Sequence, residues 1–234
     1  MFKNILKILG FFGGGIIGGI FANLIIWPYL ISGSFLGQSP QVYVTERKEI
    51  TIQENTALKD AAEKAVKALI GIKTETAGAE ILEGTGLVVT SDGLMVTLAE
   101  LIPQGSDFAF FAGQEAVSYQ ILKRDSAENL ALVKIGRTNL SALSFADLNK
   151  LKLGERVFLA GIIFENGIPR EVINEGIVSS FDENIINTNI REGTKIKGSP
   201  LFDIEGNVLG LNYVTSEGKV ISIPNSRIKE FVGI

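Results

Sequence analysis

Between Gly84 and Pro224 the chain consists almost wholly of short β-prone runs punctuated by turn signals, and this alternation limits its possible folds more than any other feature. The runs are "GTGLVV", "LMVTL", "FAFFAG", "VSYQILKR", "LALVKI", "RVFLAGII", "GIVSSF", "NIINTNI", "PLFDIEGNVLGLNYV" and "KVISIP", with Ser91-Asp92-Gly93 a characteristic separator. Many short strands at this spacing predict an all-β sandwich or barrel. A short helix is expected ahead of them over "TALKDAAEKAVKALI". Asn55 is its candidate cap, and Leu58, Ala61, Ala62, Ala65, Val66, Leu69 and Ile70 form one apolar stripe. A second helical turn is expected at "NSRIKEFV", capped by Asn225 or Ser226.

The N-terminal region is of another kind. No charged residue occurs from Ile8 to Thr45, and Leu9 to Ile31 is dominated by Leu, Ile, Phe and Gly. About 20 apolar residues suffice to cross a bilayer as a helix, so residues 8–31 are expected to form a transmembrane signal anchor. Lys3 and Lys7 precede it, whereas Glu46, Arg47, Lys48 and Glu49 balance one another after it. The positive-inside rule therefore puts residues 1–7 in the cytoplasm and the rest outside it. Trp27 and Tyr29 would mark the outer boundary, and Gly10, Gly14 and Gly18 share a face on which another helix can approach. Residues 32–53 read as a tether to a domain over 54–234.

The chain contains no histidine and no cysteine, so the usual general base, the commonest metal ligand and any thiolate site are all missing. No metal or cofactor is expected. Of 22 Lys and Arg, removing Lys3 and Lys7 leaves 20 against 26 Asp and Glu, a net of −6, which argues against nucleic acid as a partner.

The order of motifs resembles the HtrA/Deg branch of chymotrypsin-like serine proteases. "GTGLVVTSDGLMVT" is similar to the family's G-S-G-F-I-I-x-x-D-G-x-I-L-T, "KRDSAENLALVKI" to x-R-D-x-x-x-D-L-A-V-L-K-I, and "KLKLGERVFLAG" to x-L-x-V-G-x-x-V-x-A-I-G. "NEGIVSSF" and "VISIPNSRIKEF" follow in the family's order, and "INTNIREGTKIKGSPLF" stands where the family has its nucleophile loop, ending G-N-S-G-G-P-L. The resemblance implies two six-stranded β-barrels with a cleft between them, a short N-terminal helix, and no PDZ domain within 54–234.

Carried over residue by residue, the resemblance puts Glu100 at the position of the base histidine, Asn129 at the orienting aspartate and Lys197 at the nucleophilic serine. Lys195 takes the place of a glycine whose N–H helps form the oxyanion hole. A serine hydroxyl is a weak nucleophile without a hydrogen-bonded base held by a carboxylate, so no catalytic residue is expected. A Ser199/Lys197 dyad is the alternative enzyme reading. If the fold is kept, Glu100 and Lys197 are expected to meet across the cleft as an ion pair, with Asn129 hydrogen-bonded to Glu100, because an unpaired charge there is costly.

Arg191, Lys195 and Lys197 make the loop basic, a candidate dock for an anion or an acidic peptide terminus. The resemblance also implies that a peptide can add as a strand beside Lys219, Val220, Ile221 and Ser222, provided that edge is open. Asp203 and Glu205 read as turn residues. The expected function is a membrane-anchored, catalytically inactive HtrA-like homologue, a protein- or peptide-binding or scaffolding module of the cell envelope. It would self-associate or assemble with active relatives.

Overall fold

The computed structural model describes residue 15, residues 18–27 and residues 56–234. The chain divides into two units, residues 1–52 and 53–234. In the first unit, Ala22–Ile26 form a π-helical turn continuing the helical residues 18–21, and the side chains of Phe21, Leu24 and Trp27 are exposed. Among the described residues no helix is long and apolar enough to cross a membrane. Most of the expected 8–31 span, Gly10, Gly14, Tyr29, the tether and Asn55 lie outside the described residues.

The domain begins with a helix over residues 56–66, shorter than its apolar stripe suggests. Ala61, Ala62 and Ala65 are buried on its inner face, but Leu69 and Ile70 already belong to the first strand, β1 (Leu69–Glu75). Both residues suit the apolar face of either element, and here the strand ladder takes them.

β1 is followed by β2 (Ile81–Val88), β3 (Leu94–Leu98), β4 (Asp107–Ala112), β5 (Glu115–Val117), β6 (Tyr119–Asp125) and β7 (Leu130–Ile135). These form one seven-stranded antiparallel sheet in the order β5-β4-β1-β2-β3-β7-β6. Its two outermost strands are consecutive in the chain, separated by Ser118 alone, so the sheet is closed by the chain itself and not by a ladder. β5 and β6 are in effect two halves of one bent strand, and the expected six-stranded barrel is recovered with its seam at Ser118.

The second half contributes β8 (Arg156–Glu165), β9 (Ile168–Phe181), β10 (Ile186–Arg191), β11 (Pro200–Asp203), β12 (Val208–Val214) and β13 (Lys219–Pro224). They form a closed barrel in the order β10-β13-β12-β11-β8-β9. The molecule therefore has the all-β, chymotrypsin-like double-barrel fold with a few short helices.

The strand period explains how the barrels join. Along β8, Val157 and Leu159 point into the second barrel's own core, while Phe158, Ala160 and Ile162 point the other way, into a core continuous with that of the first sheet. Buried on both faces, β8 reads after Arg156 as the unbroken apolar run "VFLAGII". Phe158 stacks on Phe202 at 5.0 Å between ring centroids, both fully buried in this shared core.

The C-terminal helix (Asn225–Val232) completes the seam with Ile228 and Phe231. Asn225 does not cap it, and neither does Ser226: the N-cap is Pro224, with no side-chain cap bond. The Asn225 amide is buried and donates instead to the carbonyls of Ala146 (2.9 Å) and Val208 (2.7 Å). Two buried acceptors outweigh one helix-end donor, since unsatisfied buried carbonyls are expensive.

Truncating Phe158 to alanine removes the more deeply buried of the two phenylalanine rings of β8 from this seam, and the unfolding free energy should fall by about 3–5 kcal/mol. Urea denaturation of the domain checks this, and a loss below about 1 kcal/mol would show that the barrels do not depend on the shared core.

Candidate functional site

The cleft is built from three backbone features, each fixed by its own local bonds. The first is the 3-10 turn Ala99–Leu101 that follows β3. Ala99 and Leu101 are buried, which leaves Glu100 between them facing out. Thr74 pins the turn by donating from its hydroxyl to Leu101 O at 2.6 Å.

The second is the turn before β7. The Asp125 carboxylate accepts from the N–H groups of Ala127 and Glu128, and Asn129 then adopts a left-handed conformation, φ 53°. Asparagine tolerates that region better than most residues. Its carbonyl oxygens serve the Glu100 turn: the backbone O accepts from Ala99 N (3.1 Å) and Oδ1 accepts from Glu100 N (3.0 Å).

The third is the loop carrying Lys197. A 3-10 turn over Thr194–Ile196 is anchored by Ile196 in the second barrel's core. Lys197 O then accepts from Thr85 N of β2, 2.9 Å away across the two barrels, and Gly198 N donates to Asn212 O at 2.8 Å. Gly198 has φ +75°, and a Cβ there would lie 2.2 Å from Thr85 O, so no other residue fits. Gly84 meets the same limit from the facing strand, where a Cβ would lie 2.6 Å from Lys197 O.

These turns bring Glu100, Asn129 and Lys197 together. Lys197 Nζ lies 2.6 Å from Glu100 Oε2, and Asn129 Nδ2 donates to Glu100 Oε1 at 3.2 Å. One carboxylate thus receives a cation from the second barrel and an amide from the first. The pair is partly screened from water, with 22% of the Lys197 side chain and 38% of the Glu100 side chain accessible.

A second pair runs parallel to it. Lys195 Nζ lies 3.1 Å from Glu83 Oε2 at the start of β2, and the Glu83 side chain is largely enclosed. That oxygen has ionic contact but no hydrogen-bond geometry. Glu83 carried no signal in the sequence, because pairing between β2 and a loop more than a hundred residues later depends on the closed fold. Glu80, Glu83, Glu100, Thr194, Lys195 and Lys197 line a hollow of about 310 Å³.

The three cations expected to form one basic patch do not. Lys195 and Lys197 are each matched by a carboxylate, and Arg191 is directed to the carbonyl of Glu217 at 3.1 Å. Strand addition beside Lys219, Val220, Ile221 and Ser222 also lacks its condition. These residues lie in β13, which is laddered to β10 on one side and β12 on the other within a closed barrel. Lys219 Nζ donates to Asn187 Oδ1, and the Ser222 hydroxyl donates to Asn212 Oδ1.

Ser199 is fully buried, and its hydroxyl accepts from Asn212 Nδ2 at 3.1 Å in the same buried chain of polar groups. It faces the strand interior, away from solvent. Asp203 closes a turn, accepting from the N–H groups of Glu205 and Asn207 at 2.9 Å each. On the far side of Asn129 a second hollow of about 320 Å³ is lined by Asn184, Ile185, Tyr213, Ile223 and Arg227, and burial raises the Tyr213 hydroxyl pKa.

The family model described as the trypsin-like peptidase domain matches residues 84–211. The chain is 27% identical over 140 residues to a probable periplasmic serine endoprotease DegP-like of Halomonas elongata, covering 55% of this chain and 28% of that protein. To the protein of the same description in Rhizobium meliloti it is 27% identical over 168 residues, covering 64% and 32%. The alignments thus span about a third or less of the length of these curated relatives. Among solved structures, an HtrA-type protease AlgW with tripeptide superposes with a TM-score of 0.66 at 22% identity, covering 75% of this chain and 62% of that one.

A double-mutant cycle of Glu100→Gln and Lys197→Met measures the pair across the cleft. Half-screened geometry suggests a coupling of about 1 kcal/mol, weaker at high salt. Additive single losses would show that the two charges are independent.

Proposed function

We propose that this chain, which belongs to the trypsin-like peptidase domain family and is an HtrA-like serine protease homologue, no longer hydrolyses peptides. It serves as a membrane-anchored binding or scaffolding module outside the cytoplasm. One observation carries the reading: the ion pair between Lys197 and Glu100, with Asn129 on the second carboxylate oxygen, occupies the positions assigned to nucleophile, base and orienting acid.

Hydrolysis at such a site needs a neutral nucleophile beside a base that takes its proton, and donors waiting for the oxyanion. A lysine ammonium satisfied by a carboxylate offers neither a hydroxyl nor a free lone pair. The Ser199/Lys197 alternative is disfavoured by the burial of Ser199 and its bond to Asn212.

An envelope location is supported by the periplasmic relatives and by the uncharged, apolar segment that follows Lys3 and Lys7. The partner class is protein or peptide, other copies of the chain or active relatives included. The hollow beside the ion pairs, with carboxylates and lysines both presented, is the surface on which to seek it.

Residues 46–234, incubated with an unfolded protein substrate, should give no cleavage above background, and Lys197→Ala and Ser199→Ala should change nothing. Cleavage abolished by either substitution would overturn the proposal. Cleavage that survives both would identify a contaminating protease.

A further inference from the structure

The hairpin of β8 and β9 leaves half of one strand without a neighbour. The two strands are laddered from Arg156↔Ile177 to Glu165↔Ile168, but β10 joins β9 only between Val178 and Phe181. Strand alternation gives the direction of the groups left over. Val178 bonds toward the β8 side, its N–H to Glu155 O and its carbonyl to Gly154 N, whereas Ile177 N faces the other way and donates to Asn189 Oδ1 at 2.7 Å. Counting back by twos from Ile177, the backbone N–H and C=O groups of Ile173 and Glu171 point away from β8, where no strand receives them. Pro169 is next in that series and has no N–H to leave unpaired, which is the setting in which a sheet tolerates proline.

Beside this edge a lone carboxylate stands over an apolar floor. Glu171 is the cross-strand partner of Ile162, so both project to one face, where with Val66, Leu69 and Gln114 they line a hollow of about 360 Å³. Leu69 and Ile162 are buried, and Ile173, 48% exposed, continues the same face. Among the described residues Glu171 has no ion pair or hydrogen bond. The nearby cation, Arg170, is already matched by Glu165 at 2.7 Å.

We propose that the free edge of β9 at Glu171 to Ile173 receives an extended segment of a partner protein as an added strand, with a lysine or arginine of that segment opposite Glu171. The backbone groups of Glu171 and Ile173 supply the ladder. The aliphatic stem of the basic residue lies on Leu69 and Ile162, and its charge meets the carboxylate. This surface shares no residue with the hollow beside the ion pairs, and the inference does not depend on whether the cleft hydrolyses peptides.

Charge selects the occupant. A second copy of β9 laid antiparallel about Ile173 would set Glu171 against Glu175, and like charges directly opposite are unfavourable. An acidic strand meets the same repulsion, a neutral one gains only the backbone bonds, and a basic one gains both. Pro169 and the glutamates thus guard the edge against indiscriminate pairing while leaving it open to one class of strand.

The full-length chain is titrated into a fluorescein-labelled peptide, Thr-Val-Thr-Lys-Thr-Val-Thr, and into its twin with Glu in place of Lys, with binding read by anisotropy. The Lys peptide should bind saturably, and the Glu peptide about fivefold more weakly. Ile173→Pro removes an N–H that faces away from β8, so it should weaken the Lys peptide about tenfold while leaving the thermal transition in place. Glu171→Lys, at an exposed position, should invert the preference between the two peptides. If Ile173→Pro lowers the thermal transition, that inversion alone decides. A wild type that binds neither peptide overturns the proposal, as does a preference for Lys that persists in Glu171→Lys. Binding lost in Glu100→Gln but kept in Ile173→Pro places the peptide in the cleft, which removes this inference and leaves the proposed function standing.

Discussion

The backbone hydrogen bond from Thr85 N to Lys197 O is the constraint on which the cleft depends. It crosses from one barrel to the other at a point where two glycines allow the chains to touch, and it fixes the height at which the Lys197 side chain leaves its loop. The apolar seam of Phe158, Phe202, Leu211 and Phe231 holds the barrels at that separation. Seam and bond act together, since a seam of other thickness would leave the Thr85 donor without its acceptor and expose it to the cost of an unpaired buried group.

Given that frame, the chemistry of the cleft follows from its charges. A triad works because a neutral hydroxyl, a neutral imidazole and one buried carboxylate share a proton that can move. Here a carboxylate sits between an ammonium and an amide, and its parallel neighbour, Glu83 with Lys195, repeats the acid-base match. Both matches join the first half of the domain, Glu83 on β2 and Glu100 on the turn after β3, to the loop of the second barrel. Charges that would repel or stay unpaired if one partner changed alone are compensated in place, and the pairs, partly open to solvent, are worth little individually.

Much of the architecture was legible in the sequence because strand periodicity is local. The succession of short β-prone runs, the turn at Ser91-Asp92-Gly93 and the motif order led to the double barrel. The meeting of Glu100, Asn129 and Lys197 was legible only through the resemblance, which carries the long-range geometry that spacing lacks. What remained hidden was non-local. Glu83 is an ordinary acidic residue until β2 is laid beside the loop, and Asn225 is an ordinary helix cap until two carbonyls need its amide. Whether the edge at Lys219 to Ser222 is open was hidden for the same reason, since only barrel closure shows that β10 and β12 flank that strand. In the helix at 56–66 two elements competed for the same apolar residues, and the ladder of β1 prevailed.

The central claim is that the cleft holds no activated nucleophile. An electrophilic fluorophosphonate probe, which forms a stable ester only with a serine made reactive by its surroundings, tests this most directly. Mass mapping of the treated domain should find no phosphonyl adduct at Ser199 or at any residue lining the cleft. A stoichiometric adduct at Ser199, abolished by prior unfolding, would contradict the account and restore the chain to the working proteases.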